Sequence, residues 1–90
     1  MKLLVSQTST GTTTARYEFH GGCTFQAIKS GTVTDYDVVF SNDGGTTLSN
    51  HSVVSGASAT ASGQFDYPVG NIGVRINTGT GTVALHVVGL

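Results

Sequence analysis

From Phe65 to the end the chain reads FDYPVGNIGVRINTGTGTVALHVVGL, and twice in this stretch the apolar residues fall on every second position. Ile72, Val74 and Ile76 alternate with Gly73 and Arg75; after Gly79-Thr80-Gly81, Val83, Leu85 and Val87 alternate with Ala84, His86 and Val88. A two-residue period sends successive side chains to opposite faces of an extended strand, so each segment has one apolar face to bury. The Gly-Thr-Gly turn between them predicts that the two strands pair as a hairpin. Tyr67-Pro68-Val69-Gly70 predicts a turn ahead of it, because Pro68 fixes its own φ and Gly70 accepts a positive one.

The same alternation recurs upstream. Ala15, Tyr17 and Phe19 alternate with Arg16, Glu18 and His20 until Gly21-Gly22; Cys23, Phe25 and Ala27 follow until Ser30-Gly31. Tyr17, Phe19 and Phe25 are candidates for one aromatic cluster. Tyr36, Val38 and Phe40 share a face of the next strand, with Asp35, Asp37 and Val39 on the other. Ser41-Asn42-Asp43-Gly44-Gly45 is the strongest turn signal in the chain and predicts a hairpin returning through Thr46, Thr47 and Leu48. His51–Val54 continues or restarts a strand, Ser55–Ser62 is an exposed strand or loop, and Gln64–Tyr67 rejoins the sheet. Lys2–Gln7 is a short strand or, over Met1–Val5, an extended arm for a neighbouring subunit. No window keeps helical spacing free of Gly or β-branched interruption. The expected fold is all-β: one domain over residues 1–90, a small antiparallel β-sandwich or jelly-roll-like barrel of about seven or eight short strands.

Composition excludes several functions. The four cations Lys2, Arg16, Lys29 and Arg75 are scattered and the formal net charge is −1, so no cluster exists to displace counterions from nucleic acid. No apolar run reaches the roughly 20 residues of a membrane-spanning helix, and the apolar run in the start MKLLVSQTS is too short for a signal-peptide core. Polarity rests instead on fourteen Thr and nine Ser, which suit pleated surfaces and partner contacts made through neutral hydrogen bonds. The single cysteine, Cys23, forms no intrachain disulfide and reads as a small buried strand residue.

Candidate chemistry is sparse. Asp35 and Asp37 project on one side of a strand with Asp43 in the next turn, an arrangement that could begin a calcium site or a carboxylate pair but reads first as a solvated edge plus a turn cap. His20, His51 and His86 lie about thirty residues apart and read as unconnected. No nucleophile elbow, phosphate-binding loop or zinc spacing occurs, so no enzymatic activity and no cofactor or metal is expected. Asn50-His51-Ser52 matches a glycosylation sequon, which matters only in an exported chain. Arg75 reads as an outward side chain that keeps a sheet face soluble, or as an interface salt bridge to a carboxylate such as Asp66.

Asp43-Gly44-Gly45-Thr46, Phe65-Asp66-Tyr67-Pro68-Val69-Gly70, Val74-Arg75-Ile76-Asn77 and Gly79-Thr80 together resemble small structural proteins of tailed bacteriophages, most of all capsid decoration (cement) proteins. The resemblance covers about the last two thirds of the chain; residues 1–20 are outside it, and Asn71-Ile72-Gly73 loosens the turn before Val-Arg. It implies a virion protein made in the host cytoplasm, a homotrimer on the outside of the head that clamps neighbouring copies of the major capsid protein. Under it, Met1, Lys2, Leu3, Leu4 and Val5, the turn at Asn42 and Asp43, Arg75, and Thr78 and Thr80 are interface candidates, with Tyr17, Tyr36 and Tyr67 as possible anchors. The alternative is a head-fibre, tail or baseplate module that uses its Ser/Thr/Asn surface and a tyrosine platform to hold a host-surface glycan.

Overall fold

The computed structural model describes residues 2–90, which form eight strands: β1 (Lys2–Gln7), β2 (Gly11–Glu18), β3 (Cys23–Gly31), β4 (Asp35–Ser41), β5 (Ser49–Asn50), β6 (Ala61–Phe65), β7 (Val69–Thr78) and β8 (Gly81–Gly89). They make two antiparallel four-stranded sheets, ordered β1-β8-β3-β6 and β2-β7-β4-β5. The expected all-β sandwich is what the chain forms.

The order has a simple origin. β4 pairs with β5, β3 with β6, β2 with β7 and β1 with β8, so the chain is one long antiparallel ribbon doubled back at the β4–β5 turn. Rolling that ribbon brings β3 beside β8 and β4 beside β7, which closes two sheets over one core. This is the winding of a jelly roll. Ser41–Gly45, the strongest turn signal, is therefore the fold's midpoint. Its hairpin is real, but the returning strand is Ser49–Asn50 rather than Thr46–Leu48, because the intervening residues fold into a capped loop.

The terminal hairpin is the main correction. β7 and β8 are strands, as their alternation requires, yet they lie in different sheets and face each other across the core. Ile72, Val74 and Ile76 meet Val83, Leu85 and Val87 in that core, all at most 3 % exposed. Alternation states which face of a strand is apolar and says nothing about which strand lies beside it. Gly79 and Gly81, at φ +105° and +142°, arch the chain between layers, and the Thr80 carbonyl accepts the Thr32 N–H at 2.6 Å, tying this arch to the β3–β4 connection.

Of the two readings of the N-terminus, residues 2–5 take the strand: β1 pairs along β8, with Leu4 and Val5 packed on the core and a bulge at Leu3/Val5. His51–Val54 is bonded to β4 without forming a regular strand: the His51 N–H donates to the Val38 carbonyl and the Val38 N–H to the Val54 carbonyl. Ala57 bridges Tyr36, and the rest of Ser55–Ser62 as far as Thr60 is loop.

Candidate functional site

Three surfaces carry the side chains that can act: the outer face of each sheet, and the end of the sandwich where β4 finishes and β7 begins.

On the outer face of β2-β7-β4-β5, Asp37 lies opposite Arg75, and the pairing is direct: Arg75 donates from Nε at 3.1 Å and from a terminal nitrogen at 2.7 Å, both to Asp37 Oδ2. Asn77 Nδ2 donates to the same oxygen at 2.9 Å, while Oδ1 accepts the Gly56 N–H at 2.7 Å and the Ser55 hydroxyl. Arg75 also donates to Asn50 Oδ1 at 2.6 Å. Asp37 is 4 % exposed, so it is not the solvated edge residue that its outward position suggests. Burial pushes its pKa up, but the bonds from Asn77, Gly56 and Arg75 and the guanidinium charge outweigh that and hold it below the ordinary carboxylate value. With both oxygens filled by donors and a guanidinium alongside, Asp37 has no lone pairs left for a calcium ion or for proton abstraction. Arg75 is likewise engaged inside the chain, and its carboxylate is Asp37. Asp66 accepts instead from Gln64.

The Asn42–Leu48 loop folds over the same face. Ser41 Oγ accepts the Gly45 N–H at 2.9 Å and its hydroxyl donates to Asp43 Oδ1, which also takes the Thr47 N–H at 2.8 Å. These bonds lower the exposed Asp43 from its ordinary 3.8 to about 2. Gly45 comes close enough to β2 that a Cβ there would sit 3.3 Å from Thr14 Oγ1. Gly73, between Thr14 and Val39 in the ladder, leaves the hollow beneath, and the outward Val39 is fully buried.

The outer face of β1-β8-β3-β6 is the opposite case. Leu3, Ile28 and Val88 are 51, 41 and 44 % exposed, with Thr24, Gln26, Ala84 and His86 among them. The positions facing out from the paired registers carry no Lys, Arg, Asp or Glu, and nothing in the described chain covers them.

At the end of the sandwich a cleft of about 710 Å³ opens between the β4–β5 loop and the β6–β7 connection. Its wall is a ladder of rings: Tyr67 stacks on Phe40 at 4.5 Å, Phe40 on Phe65 at 5.4 Å, and His51 meets Phe65 edge-on at 5.0 Å. Glycines make room for it. A Cβ on Gly70 would strike the Phe40 ring, and one on Gly63 would come within 2.9 Å of both His51 and Phe25. His51 Nδ1 accepts the N–H groups of Val53 and Val54, so Nε2 carries the proton and donates to the Gln64 carbonyl at 3.1 Å. Tyr67, at 55 % exposure, stands at the mouth, its carbonyl held by the Tyr17 hydroxyl at 2.7 Å.

The sequence-predicted residues therefore separate. Met1 lies outside the described residues; Lys2 and Leu3 are exposed on β1; Asn42 and Asp43 sit at the cleft end, and Thr78 and Thr80 at the opposite end of a body 35 Å long. These two turns cannot form one contact patch. Of the three tyrosines, Tyr17 and Tyr36 are core and Tyr67 is exposed. Burial raises the pKa of both core phenols and of the Cys23 thiol, leaving Cys23 an unreactive core residue. His20, His51 and His86 lie on three separate surfaces, and no three His, Cys, Asp or Glu side chains converge among the described residues. The roles of Phe40, Gln64 and His51 in the cleft were missed in the sequence; strand-interior Gly63 and Gly70, which mark close approach, are the signal that points to them. No protein-family model, curated protein or solved structure matches the chain.

Proposed function

We propose that this chain is a non-enzymatic assembly protein that docks the uncharged outer face of β1-β8-β3-β6 on a larger protein shell, as a capsid decoration protein does on the outside of a phage head. The observation that carries the reading is that face itself. It holds Leu3, Ile28 and Val88 exposed among neutral residues, whereas the other outer face carries the Asp37–Arg75 and Arg16–Glu18 ion pairs and its own loop approaches it at Thr14. Burying neutral sheet surface against a partner needs no compensation for desolvated charge. The phage-like motifs supply the identity of the partner, the major capsid protein, and of the shell, an expanded head.

Size sets the strength. Four strands about 4.8 Å apart and some seven residues long span roughly 450 Å², about half of the ~800 Å² that one partner contributes to a standard interface. A single copy on such a patch binds weakly, so stable attachment calls for self-association and repeated contacts, for which a homotrimer is the proposed state. Binding only the assembled shell then stabilises it by mass action.

The test is binding of the purified protein to expanded heads that lack it, with unexpanded procapsids as the control. Saturable binding selective for expanded heads, lost in Ile28→Lys, supports the reading; binding to neither particle removes it. A second reading, a glycan-recognition module of a fibre, tail or baseplate, is favoured by the exposed Tyr67 at the mouth of the end cleft.

A further inference from the structure

We propose that the end cleft is a saccharide site that takes a neutral oligosaccharide with one pyranose ring against Tyr67. The proposal deepens the second reading above by naming the site and the ligand class, and it is independent of docking through the other surface.

The wall is built in advance. Tyr67 is backed by Phe40, and Phe40 by the buried Phe65, so the exposed ring is anchored to the core. Its backbone is pinned by the Tyr17 hydroxyl, and the next carbonyl, of Pro68, accepts the Phe19 N–H at 2.7 Å. An exposed aromatic ring in a fixed orientation presents a negative π face to the weakly positive C–H bonds on one side of a pyranose, at little ordering cost.

The rim supplies what sugar hydroxyls need. The side chains of Asn42, Ser49 and Ser52 line the cleft without a hydrogen-bond partner in the described chain. Asp66 uses only Oδ1, for Gln64, and leaves Oδ2 as an acceptor. Each hydroxyl both donates and accepts, so a set of amide, hydroxyl and carboxylate groups can serve several together.

Other ligand classes fit less well. No Lys or Arg lines the cleft and Asp66 does, which disfavours phosphate, sulfate or acidic sugars. A peptide adding as a strand needs a run of free backbone groups, whereas β5 is two residues long and the chain after it is bonded to β4. The volume, about 710 Å³, lies within the range of small-molecule sites, ~300–1,000 Å³.

The test is a titration of ¹⁵N-labelled protein with neutral gluco-, galacto- and N-acetylglucosamine oligosaccharides to about 10 mM, where even a millimolar Kd is visible. At least one series is expected to shift the amides of Asn42, Ser52, Gln64 and Tyr67 saturably. Tyr67→Ala is expected to weaken that binding about tenfold, and Tyr67→Phe, which keeps the ring, by about threefold at most. Tyr67 is exposed and its tether to Tyr17 is through its own carbonyl, so the alanine variant keeps the fold; an unchanged melting curve and dispersed spectrum check this. Binding that shifts other amides and is untouched by Tyr67→Ala leaves a glycan binder but overturns this site. No shift with any series overturns both.

Discussion

The two outer faces of this jelly roll solve the same problem in opposite ways. Each belongs to a four-stranded sheet whose inner face is consumed by the common core. On β2-β7-β4-β5 the chain places an ion pair and buries its carboxylate: Asp37 accepts from Arg75, Asn77, Gly56 and Ser55, and the neighbouring outward Val39 is buried as well. On β1-β8-β3-β6 it places neither charge nor cover. Among the described residues both ion pairs lie on the first face, Asp37–Arg75 drawn in and Arg16–Glu18 exposed, and the second face has none. The proposed docking surface is made of neutral residues, which desolvate at lower cost.

Changes that break the contrast should have unequal effects. Asp37→Ala leaves the half-buried Arg75 and the Gly56 N–H without their acceptor and should cost about 3 kcal/mol, the lower end for a removed partner because Arg75 keeps some solvent; urea unfolding measures it. Gly45→Ala should cost about 1–2 kcal/mol, because Gly45 holds φ +97° and its Cβ would press on Thr14; faster amide exchange in the Asn42–Leu48 loop would localise the loss.

Acid should act on the covered face first. The folded pKa values of Asp37 and Asp43 are both lowered, so their contribution is fully present above the ordinary carboxylate value of 3.8 and is lost as pH falls towards about 2. The melting temperature should fall through that window, and Asp43→Asn should flatten the fall. Smallest in stability is Ile28→Lys on the bare face, expected to stay within about 0.5 kcal/mol of the parent in thermal melts. Under the proposed docking, the same charge should abolish attachment to a shell. A large loss of stability instead would mean that the bare face is structural.

How far the sequence carries can be seen strand by strand. Val83, Leu85 and Val87 announce a strand with one buried face because pleating enforces a period of two, and Asn42-Asp43-Gly44-Gly45 announces a turn through its backbone chemistry. Neither signal names a neighbour. Hence β7 and β8 read as a hairpin, while in the fold they are partners across the core. Asp37 reads as solvated because the segment that buries it, near Ser55 and Gly56, carries no periodicity of its own. The cleft is harder still. Tyr67 was legible as a possible anchor, but Phe40, His51 and Gln64 reach it from three segments that only the rolled ribbon brings together.

That ribbon also has a kinetic meaning. Its pairs are nested like brackets: Phe40 with Ser49, then Ala27 with Ala61, Tyr17 with Gly70, and Lys2 with Val87. Each inner pair, once made, shortens the loop that the next must close, so the entropy of forming a long-range sheet is met in small steps. Folding should therefore begin at the midpoint and zip outward. Substitutions at Asn42–Gly45 would then slow refolding, and substitutions in β1, the last strand added, would chiefly speed unfolding.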